Sequence, residues 1–359
     1  MNQIEERIAY YFGRKYCHLT GSGTTAIYLI LKVLNKKDSY VLYPAITCMT
    51  PVNAALYADM KPVFCDVNLK DYTMDLSSLK KMIETYDIDV IVPTHLYGHS
   101  CDMDGIIKMA KEKDIFVLED AAQAVGGKYK GRKLGSLGDA SVISFGHTKI
   151  LECGGGGAVL TDDEGFYEKV KHLGENIPKQ PVNVKELFDD YRMIYYDIMK
   201  LIQKDSDFWP LMLSLQMTFK KGFVYAKDAQ IESILGSRLD EIDVMVEERN
   251  KRAALYDKYL NKEYLTLPDI RDGSVCWRYS FLYKGNRDEL LKAVRAKNID
   301  ISSWYPTLYQ MYGNQPKDQF PNANMLEKEI VNLWVDPRYT EEKIISDIQM
   351  INQILRELE

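Results

Sequence analysis

The stretch Ser141-Val-Ile-Ser-Phe-Gly-His-Thr-Lys-Ile-Leu-Glu-Cys-Gly-Gly-Gly-Gly-Ala-Val-Leu-Thr-Asp162 carries the pattern around which the rest of the chain is organised. Two apolar runs, Ser141–Phe145 and Ala158–Thr161, predict strands, and the glycines before the second run predict a tight turn. Between them lies a single cation, Lys149. Partial burial lowers the pKa of a lysine amine, and a neutral amine is the nucleophile that a carbonyl requires. The stretch suits Schiff-base chemistry at Lys149, although a surface lysine on a hairpin would show the same pattern.

Length and composition restrict the class of protein. With 359 residues, of which 46% are hydrophobic and 27% charged, the chain is long enough for a large and a small globular domain. A net charge of -6 gives nucleic acid or an anionic membrane no basic surface to bind. The N-terminus lacks the basic and apolar regions of a signal peptide, and no apolar run reaches the length of a membrane span. The six cysteines form no CxxC pair. We therefore expect a cytoplasmic protein with no nucleic-acid partner and no membrane span.

Residues that commonly bind metal ions do not form a recognisable site in the sequence. The tightest cluster is His95, His99 and Cys101, while His147 and His172 lie at no ligand spacing from one another or from that cluster. The cysteines are scattered rather than paired, as expected of a reduced chain. We expect no metal centre.

Strands and helices alternate through the first third of the chain. The predicted strands are Tyr16–Leu19, Tyr40–Tyr43, Pro62–Val67, Val90–Pro93 and Ile115–Leu118, and the helices between them are Ile27–Leu34, Thr50–Tyr57, Asp75–Glu84 and Met103–Glu112. Such alternation predicts an α/β fold with a mainly parallel central sheet covered on both faces. Ligands gather at the carboxyl ends of parallel strands. The segments expected there are Thr20–Thr25, Ala45–Cys48, His95–Gly98, Asp120–Gln123 and Ser144–Lys149.

The first of these segments, Thr20-Gly-Ser-Gly-Thr-Thr-Ala26, predicts an anion site. A strand, a turn of small residues and a helix start combine backbone amides with the positive end of the helix dipole. The segment matches neither a Walker loop nor the GxGxxG pattern of dinucleotide-binding proteins. A plain helix cap would use the same residues, so the segment alone leaves both interpretations open.

The alternating pattern breaks between Gly174 and Gly222. Within this region Leu187–Gln203 has helical periodicity and many tyrosines, and Phe208–Phe219 is mostly apolar. The apolar run is too short and too polar to cross a bilayer, so an interface or a lid is favoured over a membrane anchor. We predict an irregular insertion at about 174–222.

The last part of the chain predicts a second domain. A long helix over about 228–260 leads into it, followed by the strand Val275–Tyr283, the helix Arg287–Lys297 and a closing helix, Thr340–Leu358. We therefore predict a large cofactor-binding domain over residues 1–245, which contains the insertion, and a smaller C-terminal α+β domain over residues 246–359.

Asp120 completes a set of residues that suits one cofactor. A buried carboxylate is costly unless it meets a cation or a protonated ring nitrogen. Asp120 alone could be a helix cap. Together with Lys149 and a phosphate cradle at the predicted anion site, it provides what pyridoxal phosphate requires. The cradle consists of Gly23, Thr24, Thr25 and Ser144.

Seven motifs then occur in order along the chain. They are Ser22-Gly-Thr24, Tyr43-Pro-Ala-Ile-Thr47, Lys61-Pro-Val-Phe64, His95-Leu-Tyr-Gly98, Glu119-Asp-Ala-Ala-Gln-Ala124, Gly135-Ser-Leu-Gly-Asp139 and Ser144-Phe145 through Lys149. In this order they resemble the DegT/DnrJ/EryC1/StrS family of sugar aminotransferases, which belongs to the aspartate aminotransferase (fold type I) superfamily. The resemblance is dense from about residue 16 to 165 and thinner in the C-terminal third.

The resemblance implies a pyridoxal 5'-phosphate enzyme and assigns roles to several residues. Lys149 would form the Schiff base and move the proton, Asp120 would pair with the pyridine nitrogen, and Gln123 would lie near the ring. Ser144 and the amides of Thr24 and Thr25 would bind phosphate. The full set of expected cofactor contacts is Gly23, Thr24, Thr25, Cys48, Asp120, Gln123, Ser144 and Lys149, and that of substrate contacts is His95, Tyr97, His147 and Tyr305.

The same resemblance implies the reaction and the assembly. The expected activity is transfer of an amino group from glutamate or glutamine to a keto sugar, with or without an attached nucleotide, in the biosynthesis of amino sugars or polysaccharides. A homodimer with active sites near the subunit boundary is expected. Two alternatives remain: a deoxysugar dehydratase, which in this family carries histidine in place of Lys149, and a regulatory or binding protein that retains the pocket.

Four positions depart from the family pattern. Cys48 stands where an aromatic residue usually lies against the cofactor ring, and Val125 replaces a common histidine. Gly222-Phe-Val-Tyr-Ala226 replaces a Gly-x-Asn-Tyr-Arg stretch that contributes to the neighbouring subunit's site. Trp304-Tyr-Pro-Thr-Leu308 lacks the histidine expected after the proline. The last two departures bear on whether a nucleotide-linked sugar is recognised.

Overall fold

The structure, a computed structural model, describes residues 1–313 and 315–358. The strands are β1 (Tyr16–Thr20), β2 (Tyr40–Pro44), β3 (Lys61–Cys65), β4 (Ile88–Ile91), β5 (Phe116–Asp120), β6 (Lys128–Tyr129), β7 (Arg132–Lys133), β8 (Ala140–Ser144), β9 (Gly157–Thr161), β10 (Leu265–Thr266), β11 (Tyr279–Tyr283), β12 (Ile301–Ser302) and β13 (Ile330–Leu333). The α-helices are α1 (Gln3–Phe12), α2 (Gly23–Leu34), α3 (Met49–Tyr57), α4 (Leu76–Thr85), α5 (Met103–Glu112), α6 (Glu164–Gly174), α7 (Val184–Lys204), α8 (Trp209–Thr218), α9 (Lys220–Phe223), α10 (Gln230–Arg238), α11 (Ile242–Tyr259), α12 (Arg287–Arg295), α13 (Tyr309–Tyr312), α14 (Pro321–Glu329) and α15 (Glu341–Glu357).

Seven strands form the main sheet in the order β1-β9-β8-β5-β4-β2-β3. Strand β2 pairs in parallel with β3 and β4, and β4, β5 and β8 continue the parallel pairing. Strand β9 is antiparallel to both of its neighbours, β8 and β1, so it alone runs in the opposite direction. The carboxyl ends of the other six strands therefore meet at one edge. The predicted α/β fold with a mainly parallel sheet is confirmed.

Local sequence explains why the centre of this sheet is buried. Strands β8 and β9 are buried at every position, which fits their uninterrupted runs of small and apolar residues. Helix α2 packs across both strands through an almost continuous apolar face. Its first residues follow directly from β1, so this packing also fixes the start of α2 at the shared edge of the sheet.

A smaller antiparallel sheet, in the order β10-β11-β13-β12, lies in the C-terminal part of the chain. Phe281 of β11, Leu290 of α12 and Ile348 of α15 belong to its own buried cluster. The apolar residues between Leu308 and Ile330 instead pack with the core of the main sheet. The domain boundary near residue 245 stays a prediction.

The prediction of one long helix over about 228–260 is wrong in one respect. Two helices, α10 and α11, are joined by a 3-10 turn at Leu239–Glu241. Arg7 of α1 explains the break: it donates to the Gly236 carbonyl at 3.1 Å and forms an ion pair with Asp240 at 2.9 Å. In a continuous helix that carbonyl would accept from the Asp240 amide.

The insertion expected to be irregular is mostly helical. Helix α7 covers 21 residues, and α8 and α9 follow after a single 3-10 turn at Ser206–Phe208. Tyr191, Ile198 and Ile202 of α7 are buried at helical spacing, so the periodicity of this segment decided its structure. Among the described residues, no helix combines the length and the apolarity that spanning a membrane requires.

Glu119 of β5 is a fully buried carboxylate that holds several segments together. It accepts hydrogen bonds from the amides of Gly135, Leu137 and Gly138 at 2.6, 2.7 and 3.1 Å. The Nε2–H of His95 donates to it at 3.0 Å, since the other ring nitrogen of His95 already accepts a backbone N–H. Burial by itself would raise the pKa of Glu119, but these hydrogen bonds bring it below its ordinary value.

We expect Glu119→Gln to lower the free energy of unfolding by roughly 3 kcal/mol, because an amide cannot accept from all four donors and brings N–H against N–H. The lowered pKa means that the carboxylate stabilises the fold above the ordinary glutamate range, and that this stabilisation is lost as the pH falls through the folded-state pKa. Urea unfolding at about pH 7 and about pH 4 should show the difference shrinking in acid. The exposed Glu112→Gln serves as the control, and a Glu119→Gln protein as stable as the wild type at neutral pH would contradict the prediction.

Candidate active site

Asp120 ends β5 at the shared edge of the main sheet and is buried there. Its Oδ1 accepts from the Ala122 amide at 3.0 Å, and the Thr94 hydroxyl lies 3.5 Å from Oδ2. Burial raises the pKa of Asp120, although the Ala122 amide and Lys149 act in the opposite direction. No cation among the described residues forms an ion pair with this carboxylate. A protonated ring nitrogen would supply the missing partner.

Lys149 lies in the turn after β8, at the same edge. Its ammonium is 5.2 Å from the centre of the Trp277 ring. Burial lowers the pKa of Lys149, the charges of Cys48 and Asp120 oppose this shift, and the cation of Arg278 adds to it. The lowered pKa makes the neutral amine, which is the form that attacks a carbonyl, more accessible than in a free lysine.

The start of α2 faces the end of β8. A Cβ placed on Gly23 would lie 3.1 Å from the Cβ of Ser144, so helix and strand approach more closely than most side chains allow. Amides at a helix start and a nearby hydroxyl suit a phosphate dianion. The amide of Thr25, however, already donates to the Ser22 hydroxyl at 3.0 Å. Of the two predicted amide donors, Thr24 is therefore the better candidate.

Gln123 is held by two tyrosines from distant parts of the chain. Its Oε1 accepts from the Tyr97 amide at 2.8 Å, and its Nε2 lies 3.4 Å from the Tyr305 hydroxyl. The two tyrosine rings stack at 6.3 Å between centres with an angle of 8° between their planes. Burial raises the pKa of both hydroxyls, so they stay protonated. These contacts bring Gln123, Tyr97 and Tyr305 into one wall of the site.

Cys48 directly precedes helix α3, and its side chain makes no capping hydrogen bond. Its Sγ lies 3.3 Å from the Thr50 hydroxyl. The thiol also contributes to the raised pKa of four surrounding tyrosines, which are Tyr191, Tyr195, Tyr305 and Tyr312. Two of them, Tyr191 and Tyr195, come from α7. The helical insertion therefore reaches the part of the site where Cys48 lies.

The two histidines predicted as substrate contacts do not join this group. His95 has no exposed surface. Both of its ring nitrogens are engaged, one by Glu119 and the other by the Cys101 amide at 3.1 Å. That placement argues against contact with a substrate and makes His95 a support for the end of β5. His147 is exposed, and its ring lies 3.2 Å from Glu152. Within residues 1–313 and 315–358, no three His, Cys, Asp or Glu side chains are arranged to bind a metal ion.

The stretch Gly222–Ala226 lies against the start of α2 of its own chain. The Ser22 hydroxyl donates to the Phe223 carbonyl at 2.8 Å, and the Tyr225 amide donates to the Thr25 hydroxyl at 3.1 Å. These contacts use the backbone of the stretch, so they do not depend on the asparagine and arginine that are missing from it. They position the first turn of α2, which forms the predicted phosphate cradle.

The two other departures from the family pattern, Val125 and Thr307, make contacts that stabilise the fold. Val125 is completely buried in the core of the main sheet. Thr307 pairs with Ile46 through a β-bridge and donates its hydroxyl to Glu327 at 2.9 Å. This bridge holds the loop that carries Tyr305 against the carboxyl end of β2.

Sequence reasoning missed Trp277 and Arg278, which lie directly before β11. The sequence of Val275–Tyr283 predicts only an apolar strand, and no local motif identifies Trp277 or Arg278 as functional residues. The structure places the Trp277 ring beside Lys149, and its Nε1 donates to the Thr148 carbonyl at 2.7 Å. Only the packing of the C-terminal part against the main sheet brings them to the site.

Comparison with known proteins extends over nearly the whole chain. The profile of the DegT/DnrJ/EryC1/StrS aminotransferase family matches residues 1–352. An uncharacterised protein of Methanocaldococcus jannaschii is 28% identical over 99% of this chain and 90% of its own. GDP-perosamine synthase of Escherichia coli O157:H7 is 26% identical over 98% of this chain and 89% of its own. DesV of S. venezuelae, solved in complex with a ketimine intermediate, has the same fold, with a TM-score of 0.80 at 22% identity over 99% of this chain and 89% of that chain.

Gly23→Ala tests the predicted cradle. The added Cβ would press on Ser144, so we expect the affinity for pyridoxal 5'-phosphate to fall by about 10-fold or more, which corresponds to roughly 1.4 kcal/mol. Absorbance titration of the cofactor-free protein measures this affinity. Gly155→Ala is the matched control, since a Cβ on Gly155 would meet no atom within 4 Å. Equal affinities of the two variants would remove this helix start from the phosphate site.

Proposed function

The chain belongs to the DegT/DnrJ/EryC1/StrS aminotransferase family, and we propose that it transfers the amino group of glutamate or glutamine to the ketone of a sugar. It is a pyridoxal phosphate-dependent aminotransferase. The observation that carries the proposal is that Lys149 and Asp120 lie at the same edge of the sheet. One is an amine whose pKa is lowered, and the other is a buried carboxylate that lacks an ion-pair partner among the described residues.

The residues of the site divide the work of amino transfer. Pyridoxal phosphate, when bound, supplies an aldehyde that combines with amines and a ring that accepts electrons. Lys149 Nζ would take the α-proton of the donor and return a proton, a role that its lowered pKa favours. Asp120 would keep a proton on the ring nitrogen. Ser144 and the Thr24 amide would bind the phosphate, and Gln123 would lie near the ring.

The acceptor in this proposal is a keto sugar or a related polyhydroxy ketone. The hydroxyls around Cys48 and the stacked pair of Tyr97 and Tyr305 give the site the hydrogen-bonding surface that a hydroxyl-rich substrate needs. The names of relatives, among them a dTDP-sugar transaminase and a spore coat polysaccharide biosynthesis protein, support a place in amino-sugar or polysaccharide biosynthesis. Lys149 argues against dehydration, since the family's dehydratases carry histidine there.

Helices α7 and α8 close the substrate end of the site in this proposal. The Tyr191 hydroxyl lies 3.0 Å from the Met49 sulfur and from the Gln216 side chain of α8. Gln216 in turn accepts from Asn53 of α3 at 2.7 Å. Because α3 begins at Cys48, this network connects the insertion to the site directly.

The active form in this proposal is a cytoplasmic homodimer. Helices α7 and α8 and the turn between them leave large apolar side chains exposed, which are Met193, Ile194, Tyr196, Leu201, Phe208, Leu211 and Met217. Exposed apolar surface of this kind commonly marks an interface, and soluble oligomers are mostly symmetric homodimers. The net charge of -6 and the scattered cysteines support a reduced, aqueous compartment.

Asp120→Ala should retain the cofactor but slow deprotonation of glutamate by about 100-fold or more, equivalent to roughly 3 kcal/mol of lost transition-state stabilisation. Stopped-flow absorbance after a single mixing with glutamate measures this step. Asp87→Ala removes an exposed carboxylate before β4 and should leave the rate unchanged. An unchanged rate in Asp120→Ala would exclude Asp120 from the chemistry.

The two half-reactions test the function itself. Glutamate or glutamine should convert the yellow cofactor form to the colourless one, and a keto sugar should restore the colour and yield an amino sugar detectable by mass spectrometry. Borohydride should fix the cofactor on Lys149 in peptide maps. Lys149→Ala should lose turnover, whereas the exposed Lys169→Ala should keep it.

A different pattern of products would contradict the proposal. Loss of water from the sugar without nitrogen transfer would indicate a dehydratase, and bound cofactor that no amino acid converts would indicate a binding protein. A panel of keto sugars with and without a nucleotide identifies the acceptor.

A further inference from the structure

We propose that Arg278 binds a carboxylate of the amino-acid donor, within a group of tryptophan rings beside Lys149. This inference rests on the proposed function, since it concerns how the donor is held at the same site. Four features of the structure support it: two N–H groups of Arg278 that have no acceptor, the geometry of those groups, the insufficient pairing of its charge, and its position.

The guanidinium of Arg278 is 0% exposed and only partly satisfied. Its Nη1 donates to the Trp277 carbonyl at 3.0 Å. Among the described residues, its Nε and Nη2 have no hydrogen-bond partner. Buried N–H groups without partners are rare and costly, and here two occur on one charged side chain.

The two unpartnered groups have the geometry of a carboxylate site. In a guanidinium the N–H bonds of Nε and Nη2 point to the same side, so they can donate in parallel to the two oxygens of one carboxylate. A lysine at this position would offer a single charged group and could not reproduce the pair. These two N–H groups therefore fit a planar, two-oxygen anion better than a neutral hydroxyl.

The charge of Arg278 is also insufficiently paired inside the protein. Asp336 is its acidic neighbour, but the closest oxygen lies 3.8 Å from Nη1, beyond hydrogen-bond distance. Asp336 is itself engaged by Arg338, which donates from Nε and Nη2 at 2.7 and 2.9 Å. Burial lowers the pKa of Arg278, and Asp336 offsets this only in part. A bound carboxylate would supply the missing negative charge.

The position of Arg278 relates it to the reacting amine. Its guanidinium carbon lies 4.4 Å from the centre of the Trp277 ring and 4.8 Å from that of Trp334. The Trp277 ring also lies 5.2 Å from Lys149 Nζ, so one indole lies beside both side chains. An α-amino acid that exchanges its nitrogen at Lys149 carries its carboxylate one carbon away from that nitrogen. This favours the donor over an acidic sugar as the source of the carboxylate.

Trp304 covers this group of rings. It stacks at 6.3 Å on Trp277 and lies 6.2 Å from Trp334, and it is 40% exposed. The guanidinium has no exposed surface, so in this proposal Trp304, the exposed ring of the group, moves aside when a carboxylate reaches Nε and Nη2. Of the chain's four tryptophans, Trp277 and Trp334 contact Arg278, Trp304 lies against those two rings, and Trp209 starts α8. Tryptophan fluorescence therefore reports on this site.

The test titrates the cofactor-loaded protein with glutarate, which has the carboxylates of glutamate but no amine to react. We expect a saturable change in tryptophan fluorescence. Arg278→Lys and Arg278→Gln should weaken glutarate binding by about 10-fold or more, and the exposed Arg192→Gln of α7 should not change it. Equal binding by Arg278→Lys and the wild type would overturn the proposal.

The half-reactions identify the source of the carboxylate. In Arg278→Lys, the glutamate concentration that half-saturates the first half-reaction should rise by about 10-fold, and the second half-reaction with the keto substrate should stay within about 2-fold of the wild type. A loss confined to the second half-reaction would assign Arg278 to an acidic sugar and overturn the donor assignment. Failure of the proposed function is seen separately, as a cofactor that no amino acid converts while glutarate still binds.

If neither Arg278 variant folds, Trp304→Ala tests whether a carboxylate binds at Arg278. Removing the covering ring should speed glutarate association several-fold in stopped-flow fluorescence, because two tryptophans beside Arg278 remain to report it. An unchanged association rate would overturn the proposal.

Discussion

The site depends on one buried carboxylate that takes no part in the chemistry. Glu119 and Asp120 are consecutive residues of β5, so their side chains point to opposite faces of the sheet. Glu119 binds the loop of residues 135–138 and His95 on its own face, and this fixes the end of the strand. Asp120 is thereby held at the edge where Lys149 and α2 also lie. A buried charge is tolerated only with such a complete set of partners, so the loop, the strand and the catalytic edge form one unit.

The site draws on two sheets with different contributions. The main sheet supplies the groups suited to the cofactor, because six of its strands end at one edge. The smaller sheet and its neighbouring loop supply Trp277, Arg278 and Tyr305. The residues proposed to bind the cofactor and the substrates thus lie where two cores pack together, which is a common place for a cleft in an enzyme.

The helical insertion occupies space next to two of the departures from the family pattern. Cys48 stands where an aromatic residue is usual, and Tyr191 and Tyr195 of α7 approach it. Thr307 stands where a histidine is usual, and Glu327, to which it donates, also contributes to the raised pKa of Tyr195. Cys48 and Thr307 are smaller than the residues usual at their positions, whereas α7 contributes the large side chains of Tyr191 and Tyr195.

Local patterns were enough for the prediction of the main sheet and most helices, and they placed three of the candidate cofactor residues at strand ends. Each of these depends on neighbours in the chain: apolar runs for strands, 3.6-residue periodicity for helices, and a strand end followed by a turn for Asp120, Ser144 and Lys149. The same patterns predicted a helix for most of α7, although its surroundings were expected to be irregular.

Tertiary structure decided what depends on partners far apart in the chain. The break between α10 and α11 is set by Arg7, more than 200 residues away, and the burial of His95 by Glu119. Arg278 is joined to Lys149 only through packing of the two sheets, so no spacing in the sequence could mark it. Side-chain contacts of this kind form when helices and strands that are distant in the chain pack together, and a local sequence pattern does not predict that packing.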